Sequence, residues 1–113
     1  ILLNIEQRLH ELRELAKKFA KSEANRVYLE EFKKSQLAIL MKKHERTHKT
    51  AAAQEREARA DQEYLSVLEG LKSATEHAQR ARWELKIAEL GASVWQTSQA
   101  NRRQEMKSLN SEG

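Results

Sequence analysis

The chain has no cysteine and no proline, and only three of its 113 residues are glycine. Without cysteine there is no disulfide framework and no thiol nucleophile, which fits a cytoplasmic protein. Proline and glycine punctuate turns and strands, so their scarcity excludes a loop-rich or β-rich fold and leaves a few long elements. Aromatic residues are only 5% of the chain, too few for a large core. No apolar run approaches the ~18 residues of a membrane span, and no secretory segment is visible. The sequence opens on Ile1 rather than methionine, which leaves room for residues upstream.

What is present points to helices. Charged residues make up 34%, and Ala, Glu, Lys, Leu, Arg and Gln, the strongest helix formers, dominate the composition. From Val67 to Trp95 every third or fourth residue is apolar: Val67, Leu71, Ala74, Ala78, Ala81, Leu85, Ala88, Ala92 and Trp95. Their 4-3 alternation keeps one stripe of a helix facing a partner. The alanines let a facing backbone approach closely, and Leu71, Leu85 and Trp95 are expected to interdigitate with Phe19, Phe32 or their counterparts. Trp83, Ile87, Leu90 and Val94 form a second row, read as lying on a neighbouring face and feeding either a broad core or a subunit interface. Gly70 and Gly91 interrupt this helix and suggest close backbone approach. Trp83 and Trp95 are the expected interface anchors.

The expected architecture is an all-α antiparallel hairpin of two long helices, coiled-coil-like, forming a single domain over residues 1–113. The first helix is expected at about 4–45, with Asn4 as N-cap. Ile5, Leu9, Leu12, Ala16 and Phe19 begin its stripe, which then drifts through Ala20, Ala24 and Val27 to Tyr28, Phe32 and Ile39. The connection spans about 46–61, either as a tight turn near 46–50 or, preferably, as a short helix capped by Thr50 and ending near Asp61. The second long helix is expected at about 62–106, with a frayed tail at 108–113. So thin a hairpin is marginal alone, so a homo-oligomer, a dimer or larger helical bundle, is expected.

His44-Glu45-Arg46-Thr47-His48 matches the zinc-hydrolase pattern HExxH. On a helix it would place two imidazoles on one face with a glutamate as general base. Lys42, Lys43, Arg46 and Lys49 surround it, and cations disfavour a divalent metal. No third ligand motif accompanies it, so no catalytic residue, metal or cofactor is expected and a hydrolase is only a remote alternative. The same stretch is the candidate nucleic-acid surface: Lys33, Lys34, Lys42, Lys43, Arg46 and Lys49 supply charges that phosphate contacts need. The competing reading is a solvated end that complements the helix dipole, since Glu30, Glu31, Glu55, Glu57 and Asp61 are interleaved nearby. The net charge of +4 is modest for a dedicated nucleic-acid binder.

The run Tyr28-Leu29-Glu30-Glu31-Phe32-Lys33-Lys34-Ser35, the Thr50–Ala58 stretch, and Arg82-Trp83-Glu84-Leu85-Lys86 with Val94-Trp95 resemble a group of small helical proteins from bacteriophages and prophages. The resemblance covers roughly residues 20–104. It implies a role accessory to phage DNA metabolism or recombination, in the host bacterial cytoplasm, and it carries no catalytic residues. The expectation is therefore a non-enzymatic interaction protein that acts through oligomerisation and an unidentified protein partner. Direct nucleic-acid binding is the alternative, and no membrane association is expected.

Overall fold

In a computed structural model, residues 2–112 are described, with side-chain burial defined for 4–110. They form three helices and no strand: α1 (Leu2–Lys43), α2 (Ala51–Ala60) and α3 (Gln62–Glu112). The molecule measures 91 × 21 × 15 Å, with a radius of gyration of 25.4 Å, against about 13 Å for a compact chain of this length. α1 and α3 lie antiparallel and make most of the long-range packing, while the short α2 turns the corner. No helix among the described residues is long and apolar enough to cross a membrane.

The helix boundaries follow from caps. Thr50 caps α2: its hydroxyl accepts from the Ala53 backbone N–H at 3.1 Å. Asp61 ends α2 and starts α3, its carboxylate accepting from the Glu63 N–H at 2.9 Å. The connection is thus the short-helix alternative. Three terminal expectations differ from what is observed. α1 starts at Leu2 rather than being capped by Asn4, and it ends at Lys43, two residues before the expected limit. α3 continues to Glu112 where fraying was expected at 108–113. No proline or glycine interrupts residues 92–112, so nothing stops the helical hydrogen bonding there. Gly113, like Ile1, lies outside the described residues.

The α3 stripe lies in the seam. Leu71, Ala74, Ala78 and Ala81 are buried, and Val67, Leu85, Ala88, Ala92 and Trp95 are half-buried. The face of α1 that meets it is only partly the one expected: Leu12, Phe19 and Phe32 are half-buried, and Ile5 and Leu9 line a groove with Ala92 and Trp95. Ile5, Leu9, Ala16, Ala20, Ala24, Val27, Tyr28 and Ile39 are exposed. The covered or half-covered face runs through Leu12, Leu15, Phe19, Ser22, Arg26, Leu29, Lys33, Leu37 and Leu40. Against flat alanine knobs, α1 needs little bulk. Ser22 fits, and Arg26 and Lys33 lie half-buried at the seam edge with their heads paired to Glu23 and Glu30. Following apolar letters alone therefore slides the stripe toward solvent.

Large side chains also meet different neighbours from those expected. Phe19 lines a groove with Ala78 and Arg82, Phe32 stacks on Tyr28 with ring centroids 6.1 Å apart, and Trp95 receives the Arg8 guanidinium 5.1 Å from its ring centre. Lys18 bridges to Glu84 at 3.0 Å across the seam. Gly70 and Gly91 admit no close neighbour: an added Cβ at either would meet nothing within 4 Å. A compact cluster sits at the corner, where Leu40, Ala58 and Tyr64 are buried with Leu37 and Met41 packed against them. Leu40 is the largest fully buried side chain among the described residues.

Ala81 is 1% exposed. Ala81→Leu is expected to overpack the seam and cost about 1–3 kcal/mol, read as a lower melting temperature by circular dichroism. An unchanged melt would place Ala81 outside the seam.

Candidate functional site

Two regions carry the residues singled out in the sequence: the corner between α1 and α3, and the side of α3 that faces away from α1.

At the corner, Asp61 is the hub. One carboxylate oxygen caps α3, and the other accepts from the Lys43 ammonium at 3.1 Å and lies 3.3 Å from His44 Nε2. Its carboxyl is held below the usual value, first by the Glu63 N–H and then by Lys43, with His44 adding to the effect and desolvation opposing it. Lys43 is raised in turn by Asp61. These contacts tie the end of α1 to the start of α3. Around them, Gln54 donates to the His48 carbonyl at 2.9 Å, and Arg59 donates to Glu55 and to the Tyr64 hydroxyl.

The HExxH residues sit in this corner but not on a helix, because α1 ends at Lys43. The rings of His44 and His48 are 5.9 Å apart and edge-on. His44 faces Asp61, whereas His48 Nε2 lies 3.7 Å from Glu57. Glu45 is exposed. Among the described residues no group of three or more His, Cys, Asp or Glu is arranged to hold a metal ion.

The six basic candidates are not gathered on one face. Lys33 pairs with Glu30 at 3.6 Å, Lys34 with Glu31 at 3.1 Å, and Lys43 with Asp61. Neighbours in sequence diverge by about 100° around a helix, so Lys33/Lys34 and Lys42/Lys43 splay apart. Lys42, Arg46 and Lys49 are exposed.

On α3, the packing residues divide by side. Leu71, Ala74, Ala78, Ala81, Leu85, Ala88, Ala92 and Trp95 are turned to α1, as described above. Trp83 is not with them: it is 58% exposed, and Ile87, Leu90 and Val94 are 65%, 66% and 68% exposed. Each lies two residues from a seam position, Leu85, Ala88 or Ala92. Two residues are about 200° of helical rotation, so this row is on the far side of α3 rather than on a neighbouring face. Lys86 stands 5.3 Å from the Trp83 ring centre, and Trp83, Ile87 and Leu90 line a shallow groove with Lys86 and Glu89. Sequence reasoning found the row but missed Arg8 at Trp95 and the link from Asp61 to Lys43. An arginine among apolar seam residues was the available signal for the first, and nothing local announced the second.

The folded-state shift at Asp61 is downward, so its stabilisation is present above the unfolded carboxyl pKa and is lost as pH falls through the folded value. Asp61→Asn retains a capping oxygen but removes the charge. It is expected to melt below the native chain at neutral pH, with the difference shrinking as pH falls below the unfolded carboxyl value of about 4 and vanishing only below the lowered folded value. A melting difference independent of pH would remove the charge from the corner's role.

Comparison of the chain with known protein families, with curated proteins and with solved structures gives no match in any of the three.

Proposed function

We propose that this is a non-enzymatic helical interaction protein that works by docking further helices, in an oligomer and with a protein partner, on the outward side of α3. One observation carries the reading. Trp83, Ile87, Leu90 and Val94 form a continuous apolar row that is 58–68% exposed while the opposite side of the same helix is already packed. A soluble surface helix ordinarily has one apolar stripe and one polar face. A helix apolar on opposite sides is an inner helix of a layer, and within this chain α1 covers only one of those sides.

The non-enzymatic part draws support from the corner, where each HExxH histidine lies against its own carboxylate. The resemblance across residues 20–104 supplies the proposed setting, an accessory role in phage DNA metabolism or recombination in a bacterial cytoplasm. Nucleic-acid contact through the basic corner would rest on exposed Lys42, Arg46 and Lys49, since Lys33, Lys34 and Lys43 are engaged by carboxylates.

Sedimentation velocity over a concentration series, with an Ile87→Glu/Leu90→Glu variant alongside, tests the docking role. The native chain is expected to associate as concentration rises. The variant should keep its helicity, because both side chains are exposed in the hairpin, and should associate roughly a hundredfold more weakly. A native chain that stays monomeric at every concentration, or a variant that associates as well as native, would contradict the reading.

A further inference from the structure

The outward row of α3 is able to pair with itself, because its spacing is the same in both directions. Trp83, Ile87, Leu90 and Val94 are spaced 4-3-4, a palindrome centred between Ala88 and Glu89. If two α3 helices lie antiparallel about that centre, Trp83 of one copy meets Val94 of the other, and Ile87 meets Leu90. Large is set against small at the ends, and two branched aliphatic pairs fill the middle. An isologous two-fold contact demands this self-complementarity.

The pattern extends beyond the apolar row. Eleven residues are close to three full helical turns, so Lys72, Trp83, Val94 and Glu105 fall along nearly one line of α3. Lys72 and Glu105 are both exposed and equally far from the centre. The antiparallel pairing therefore brings Lys72 of each copy to Glu105 of the other, opposite charges at both ends of the contact. A parallel pairing would set lysine on lysine and glutamate on glutamate. Such rim pairs add little affinity, but they specify direction and register.

The area is consistent with this occupant. The exposed parts of the four apolar side chains come to on the order of 450 Å², the size of the largest patch on a typical monomer. A two-fold contact covers two such patches, on the order of 900 Å². Gln79, Thr97 and Asn101 flank the row and bring the total near the ~1,200 Å² at which stable interfaces begin.

Resting on the interaction reading above, we infer that the occupant of the outward face is a second copy of this chain, bound antiparallel through α3 about a two-fold axis between Ala88 and Glu89. The order of helices across the dimer is then α1, α3, partner α3, partner α1. The two corners lie at opposite ends.

The lack of native cysteine makes single-cysteine spin labels straightforward. Ser93→Cys and Ser73→Cys are exposed serines on α3, 4.5 and 15.5 residues from the proposed centre. At 1.5 Å per residue the labelled pairs are separated along the axis by about 14 Å and about 47 Å respectively. Pulsed dipolar measurements on each variant, with sedimentation equilibrium to fix the mass at two chains, should return one short and one long distance. Equal distances at the two positions would mean a parallel dimer, and a mass other than two chains would mean another assembly. Either overturns this pairing while leaving the interaction reading intact. A chain that remains monomeric overturns both.

Discussion

The controlling constraint is that α3 is apolar on two opposite sides while the chain supplies one helix to cover it. On one side, alanines at 4-3 spacing let α1 lie close along much of its length. On the other, Trp83, Ile87, Leu90 and Val94 stand in water. Hydrophobic burial is the main force holding helices in water, and here the hairpin uses only half of what α3 offers. The small core follows. Among the described residues the fully buried side chains are mainly alanines, and the largest is Leu40.

The corner compensates locally for what the seam lacks. Leu40, Ala58 and Tyr64 form its compact apolar cluster, and polar contacts fix its angles. Thr50 satisfies an open N–H of α2, and Asp61 does so for α3 while bridging to Lys43 and lying against His44. Residues that resemble a metal-hydrolase motif and a phosphate-binding cluster are largely committed to these structural contacts. A carboxylate beside His44 and His48 and beside three of the six basic candidates explains why this end is basic in composition and more balanced in contact.

How much of this was legible depends on whether the signal is apolar, local and helical. The α3 stripe was visible because alanine, leucine and tryptophan mark it at fixed spacing. The matching face of α1 was not, because Ser22, Arg26 and Lys33 occupy seam positions that a hydrophobicity pattern discards. Thr50 and Asp61 were legible as caps, whose partners lie two or three residues away. The contact from Asp61 to Lys43 spans 18 residues and depends on how the corner closes. Gly70 and Gly91 suggested close packing, yet both face open space, since a helix built of strong formers tolerates isolated glycines at about 1 kcal/mol each. The second row was visible, but it was read as a neighbouring face; its spacing from Leu85, Ala88 and Ala92 puts it on the far side of the helix.

With α3 at the centre of a layer, the proposed dimer lies side by side, because the two-fold centre at residues 88–89 is close to the middle of α3. Small-angle X-ray scattering across a dilution series tests the underlying claim most directly. As copies associate, the maximum dimension should stay close to the 91 Å of one hairpin while the cross-section about doubles in area. A particle that nearly doubles in length, or one that collapses to a globule, would contradict an α3 that packs on both of its sides.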